Sequence, residues 1–369
     1  FIVYKTPVAY PTDPTTGVYE IIECDDLASG ADDDGATLFD ITGLENLILT
    51  DPNGVDPVQV SADYDFIFTD SSGNPITLTS DYRAEDGDTI DVSITNPLFT
   101  SCSETITVVF TVNPLPTFTV DPDAIVCIGP TAQPIEIGVD SFLDDYDYSW
   151  VYNGTIYNNP APTSPNNDRI LVDNGGTYEV TATDKITGCE RTLSINVTES
   201  AIATITEDDI TVEDLTNDNN NTITIDTTNL GIGDYEFAID DAFGPYQDDP
   251  LFEQVEPGIH TIYIRDKNGC GLAQIQVSVI GYKKFFTPNN DGYNDTWKVL
   301  GIRPGYQETS KVYIFDRYGK LIKELDPLRE GWDGTYLGRP MPQTDYWFRV
   351  FLEDGREFKG HFSLIRGRK

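Results

Sequence analysis

Histidine, methionine and positive charge are what this chain has least of. Its 369 residues hold two His, one Met and 23 Lys+Arg against 62 Asp+Glu, a formal net charge of −39. A field of that sign repels nucleic acid and anionic lipid, which excludes nucleic acid as a partner of the chain as a whole. Catalysis through imidazole has little to work with: His260 and His361 fall in expected strands without metal-ligand spacing. No G-x-S-x-G, H-E-x-x-H or glycine-rich phosphate loop occurs. Carboxylates are so abundant that a pair at glycosidase spacing carries no information. The chain reads as a non-enzyme. It also lacks the ~18 to 20 uncharged apolar residues of a membrane-spanning helix, and its opening FIVYKTPVAYPTDP lacks the order of a signal peptide. What is present, 39% hydrophobic residues with 20 Tyr and 18 Phe, is too much apolar surface for a disordered acidic tail.

Helical periodicity is almost missing, and alternation at period two takes its place. Tyr64-Asp65-Phe66-Ile67-Phe68, Ile90-Asp91-Val92-Ser93-Ile94, Tyr178-Glu179-Val180-Thr181-Ala182 and His260-Thr261-Ile262-Tyr263-Ile264 each predict a half-buried strand. Turn signals such as Ser72-Gly73-Asn74-Pro75, Asn153-Gly154, Asn268-Gly269 and Asp354-Gly355 separate such runs. The expected fold class is all-β: tandem immunoglobulin-like β-sandwich modules in an extended array. Proline clusters and repeated closing strands set the boundaries. Residues 1–10 end a preceding module and link it; 11–115, 116–199 and 200–281 are sandwiches; 282–369 is a last, different one. Phe1, Val3 and Pro7 align register for register with Phe110, Val112 and Pro116, so the chain is expected to open inside the last strand of an earlier module, as the C-terminal part of a longer protein.

No cysteine pair is close enough for a zinc knuckle or a C-x-x-C redox site. Cys102, Cys189 and Cys270 each lie in a turn that feeds a closing strand, and Cys24 and Cys127 stand near the start of the first two modules. Bonds Cys24–Cys102 and Cys127–Cys189 would tie first strands to last ones and imply an extracytoplasmic location, leaving Cys270 a buried thiol. Cys127, Trp150, Tyr178 and Cys189 resemble an immunoglobulin core, but the second cysteine follows the tyrosine by eleven residues, so the bridge is not the usual inter-sheet one.

Acidic clusters invite calcium. Asp32-Asp33-Asp34-Gly35 followed by Asp40, with Asp25 and Asp26 nearby, gathers hard oxygens around a glycine turn, making Asp32, Asp34 and Asp40 candidate ligands. Asn289 to Asp295 does so again. Neither follows the EF-hand loop, and solvated acidic loops are the competing reading.

Charge is unevenly spread: 16 Lys+Arg face 12 Asp+Glu from Tyr282 onward, whereas 7 face 50 before it. The final module is therefore net +4 on a cargo of −43. Its long expected strand puts Tyr346, Phe348, Val350 and Leu352 on one face and Trp347 and Phe351 on the other. A strand wet on one side has no use for Trp347 and Phe351, so a loop or a partner must cover them.

Four ordered motifs carry a resemblance. Thr287-Pro288-Asn289, Asp291-Gly292 and Asn294-Asp295 lead to Trp297; Phe315-Asp316-Arg317 precedes Gly319; Trp332-Asp333-Gly334-Thr335 precedes Gly338; and Gly360 leads to Leu364-Ile365-Arg366. Together they resemble the gliding-motility-associated C-terminal domain, the type B sorting domain of type IX secretion substrates. The family commonly has Trp where Tyr318 stands here. The resemblance implies a C-terminal recognition signal, export of the folded domain through the outer membrane, and a bacterial cell-surface or extracellular destination. The partners it implies are the type IX translocon and an outer-membrane receptor or anchoring protein. The upstream modules look like repeats of adhesion and gliding proteins, and surface polysaccharide is a candidate partner for them. The competing reading is a polysaccharide-degrading enzyme with its catalytic domain upstream. Most motif residues are expected to hold the fold, with Asp and Asn capping turns and Trp332 buried ahead of one, and the exposed remainder to be recognised.

Overall fold

A computed structural model describes residues 6–26, 28–31, 33–141, 143–157, 166–215 and 220–366. Phe1 and Val3, which carried the alignment to a preceding module, lie outside the described residues, as does Asp32. Strands dominate, as the alternation predicted, and the one described α-helix is the short segment Leu44–Ile48. The chain divides into two compact units. The first runs to Ala124 and takes in Ile135–Val172 and Gly176–Val197; the second takes Ile125–Pro134, Asp173–Gly175 and the chain from Thr198 onward.

In the first unit one sheet orders Val18–Cys24, Phe99–Asn113, Thr89–Asn96 and Asp65–Asp70. The outer pair is parallel, with Val18 opposite Thr107 and Cys24 opposite Asn113; the other pairs are antiparallel. Ile90, Val92 and Ile94 point inward with Val108 and Phe110, and the Phe110 ring lies 4.7 Å from Phe39. The inner side chains recur every second residue because a strand's faces alternate, so the period-two runs and the core are the same residues. The same unit holds Tyr146–Tyr152, Gly176–Asp184 and Glu190–Ala201, hydrogen-bonded in that order up to Val197. There Trp150 is buried and its Nε1 donates to the Asn167 carbonyl at 2.7 Å, while Tyr178 stacks on Tyr152 at 4.6 Å.

The expected disulfides are re-paired. Cys24 is bonded to Cys189, Cys127 to Cys270, and Cys102 is free. Parallel register explains the first correction: Cys24 lies beside Asn113, eleven residues along the strand from Cys102. At ~3.3 Å per residue that is ~36 Å, far beyond the reach of a bridge. Cys189 is then taken by Cys24, and Cys127 is bonded to the cysteine that had been left over. No bridge lies beneath Trp150 between Cys127 and Cys189; the immunoglobulin likeness is one of aromatic core and strand layout.

In the second unit two three-stranded sheets share a core. Ile210–Glu213, Asn221–Ile225 and Leu251–Val255 form one; Tyr235–Ile239, Gly258–Asp266 and Leu272–Val279 form the other. Ile223, Ile225, Phe237, Ile262, Ile264 and Val277 fill the space between them. Asp266, 1% exposed, accepts hydrogen bonds from Ser200 Oγ, the Asp234 N–H and the Cys270 N–H, which fixes the turn carrying the bonded cysteine. His260 is structural, its Nδ1 2.7 Å from Asp240 and its Nε2 2.7 Å from the Glu256 carbonyl.

The C-terminal sandwich packs directly on this pair of sheets. Asp214, whose side chain is 4% exposed, accepts from the Ile280 N–H at 3.0 Å and from Arg356 Nη1 at 2.8 Å. Gly301 allows the approach: a Cβ there would stand 2.4 Å from the Val279 carbonyl oxygen. The backbone donor and the guanidinium offset the desolvation of this buried carboxylate, and removing either would leave it under-satisfied.

Candidate recognition surface

The last module is built on a five-stranded sheet ordered Phe285–Phe286, Glu357–Leu364, Asp345–Phe351, Lys311–Phe315 and Leu321–Leu325. Tyr346, Phe348 and Val350 are buried on its inner face with Val312, Ile314, Phe362 and Leu364. Trp297 closes that core, its ring stacked on Phe362 at 3.9 Å and its Nε1 donating to the Lys283 carbonyl at 2.8 Å. Trp332 meets it through a pair of backbone hydrogen bonds of 3.0 and 2.8 Å, and its own Nε1 donates to the Thr335 carbonyl. Gly360 is required on this face, because a Cβ would stand 2.9 Å from the Phe348 ring and 2.9 Å from Tyr282 Oη.

The motif loops are hydrogen-bonded structures in their own right. Asp295 accepts from the N–H groups of Asn289, Asn290 and Gly292, while Thr287 N–H donates to the Asn294 carbonyl. Burial pushes the Asp295 carboxyl up, but those backbone donors together outweigh it and hold it below its ordinary value. Asn290, Gly292 and Asn294 have φ of 61°, 86° and 54°, the left-handed region that Asn and Gly tolerate. Asp291 accepts from Tyr293 N–H, Asp316 from Tyr318 and Lys320 N–H, and Asp333 from Thr335. Gly319, Gly334 and Gly338 sit at positive φ in the turns that follow. Pro288 packs near Gly334. Arg366 ties the final strand back, donating to the Gly334 and Met341 carbonyls. Apart from the outward Phe315 and the guanidinium of Arg317, 5.8 Å from the Tyr318 ring, the motif residues are therefore engaged in the fold.

The opposite face of the sheet is different. Cross-strand register sets out three rows, Phe315–Trp347–His361, Tyr313–Arg349–Lys359 and Lys311–Phe351–Glu357. Partners in register share a face, so these nine side chains form one outward patch. Trp347 is 42% exposed and Phe351 37%, so among the described residues both stand open. Tyr313 meets Phe351 edge-on at 6.1 Å, and the Arg349 guanidinium lies 4.6 Å from the Phe351 ring. Arg349 is held by two hydrogen bonds of 2.6 and 2.8 Å to Glu357. The hydrogen bond from Arg349 keeps the Glu357 carboxyl below the usual range, so the pair stays charged at neutral pH. A shallow concavity of about 380 Å³ opens between Phe315, Trp347, Arg349, Lys359 and His361. Alternation along the strand from Trp347 places Arg349 on this face, whereas Tyr313, Lys359 and His361 reach it only through the cross-strand register.

Of the calcium candidates, Asp32 lies outside the described residues, and Asp34 and Asp40 are each hydrogen-bonded locally. Asp34 accepts from the Ala36 N–H at 3.0 Å and pairs with Arg83 at 3.4 Å; Asp40 accepts from the Thr42 N–H and hydroxyl. A carboxylate paired with a guanidinium and spent on its own turn is a poor cation ligand, and among the described residues no group of three ligating side chains converges. Asp295, bound to three N–H groups, does not fit a cation either.

Among curated proteins no sequence matches the chain. Solved structures with tandem immunoglobulin modules do. Sidekick-1 immunoglobulin domains 1–5 are 11% identical, with 91% of this chain and 78% of that one covered at a TM-score of 0.28. Drosophila OTK extracellular domains 3–5 are 9% identical over 67% of this chain and 95% of that one, TM-score 0.18. A Bacteroides ovatus SGBP-B structure, in complex with a mixed-linkage heptasaccharide, is 13% identical over 66% of each, TM-score 0.19. At such scores these likenesses carry no argument about arrangement or ligand. Residues 280–364 match the family model described as the CHU_C Type IX secretion signal domain. The C-terminal module thus carries the type IX secretion signal of that family, which directs export across the outer membrane to the cell surface or the extracellular space.

Proposed function

We propose that the outward face of the C-terminal sheet is where the type IX translocon or its outer-membrane receptor grips the folded signal, and that the acidic modules before it are surface cargo of an adhesive or gliding-motility protein. The observation behind this reading is the two-sided strand Asp345–Phe351, whose inner residues are buried while Trp347 and Phe351 stand open. The motif turns are spent on the fold, so they are poor candidates for the contact. Aromatic anchors with an arginine between them are the composition of interface hot spots. Lys311, Arg349 and Lys359, on a module of net +4, favour a partner surface with apolar pockets and an acidic rim.

The test is Trp347→Ala with Phe351→Ala in the full-length protein. Hot-spot aromatics contribute about 2 kcal/mol or more each, so surface display should fall at least ~10-fold. Exposed positions contribute little to stability, so the melting midpoint of the module should barely move. Unchanged display would overturn the assignment of this face.

A further inference from the structure

We propose that Cys102 is bonded, in the secreted protein, to a cysteine at the end of the first strand of a further β-sandwich module on its N-terminal side. The free thiol alone does not carry this; the two disulfides do. Cys24 is the last residue of Val18–Cys24, and Cys127 the next to last of Asp123–Ile128. Cys189 and Cys270 stand just before the closing strands Glu190–Ala201 and Leu272–Val279. Both bonds therefore obey one rule: the first-strand cysteine of one module takes the closing-strand cysteine of the next. Cys102, near the start of Phe99–Asn113, is the third closing-strand cysteine.

The rule leaves it one kind of partner. Cys24 and Cys127 are already bonded, and Cys24 lies at the far end of the same ladder. The required partner must come from another module's first strand, one step earlier in the series. Cys102 is accessible, and Leu98 and Phe99 beside it are 75% and 50% exposed, apolar surface that a neighbouring module would cover. Bond formation removes two protons and two electrons from the paired thiols. A dithiol–disulfide oxidant of the oxidising compartment accepts them, its own disulfide becoming a dithiol. The bond does not depend on which face the export machinery grips.

Full-length protein from its native cells, alkylated with iodoacetamide without reduction and then digested, gives the test by mass spectrometry. The Cys102 peptide should appear cross-linked to a cysteine peptide from outside these 369 residues, with the alkylated form essentially missing. In Cys102→Ser protein, one cysteine outside this stretch should become newly alkylatable, while Cys24–Cys189 and Cys127–Cys270 persist. Quantitative alkylation of Cys102, a Cys102–Cys102 link between two copies, or a link to Cys24 or Cys127 would each overturn the proposal.

Discussion

A chain ending at Gly281 should be made, fold its cargo modules and remain in the periplasm, with surface display reduced to background. Residues 280–364 carry the secretion signal, and removing 282–369 takes away the whole five-stranded sheet and the outward patch with it. The cargo should survive the cut because its own core, from Ile223 to Val277, is closed without the last module. The cut leaves scars at the junction: Asp214 loses Arg356 but keeps the Ile280 N–H, Glu207 loses Arg303, and Ile280 and Leu215 lose their apolar cover. Opening to water lets that carboxylate hydrate, so the loss of stability should be small compared with that of a buried unpaired charge. Cell fractionation of the truncated protein makes the check, and surface-exposed truncated chains would show that the cargo carries its own address.

Trp297→Ala should be nearly as damaging without removing any of the outward patch. The indole is 1% exposed, stacks on Phe362 and anchors the Lys283 carbonyl, and Trp→Ala changes at such sites cost about 3 to 5 kcal/mol. Domains of this size have only about 5 to 15 kcal/mol to lose. The module should therefore open at least ~100-fold more often, which limited proteolysis would reveal as faster cleavage confined to the C-terminal region. Export should fall with it, since the outward rows exist only while Lys311–Phe315, Asp345–Phe351 and Glu357–Leu364 stay in register. Intact export of a module that proteolysis shows to be open would mean that a linear motif is read instead.

These two cases also mark what the sequence could convey. Period-two runs such as Ile90 to Ile94 announced their own burial, because alternation is a local property and a sandwich core is made of it. The motif residues were legible as a family signature, and Trp297, Trp332 and Gly360 then proved to be packing residues, as abundant Asp, Asn and Gly turns around buried aromatics suggest. The disulfides were half legible. First-strand and closing-strand cysteines do pair, but shifted by one module, and a shift of one leaves the same number of odd cysteines. The parallel register of Val18–Cys24 against Phe99–Asn113 rules out Cys24–Cys102, and register is a long-range property. Trp347 and Phe351 showed a second apolar face on their strand, yet whether a loop lay over it depended on tertiary placement. At Asp34 and Asp40 the sequence counts oxygens without showing the N–H groups and the Arg83 guanidinium bonded to them.

A last module that is a self-sufficient address, read in its folded state, should export a foreign cargo. This is tested most directly by fusing residues 280–369 to an unrelated periplasmic β-sandwich reporter, with Ile280 retained because it is fully buried in that module's core. Protease shaving of intact cells then measures the reporter outside the outer membrane. Surface or medium localisation of the fusion is expected, lost when Trp347 and Phe351 are both alanine; a fusion that folds and stays in the periplasm would show that the module is not sufficient.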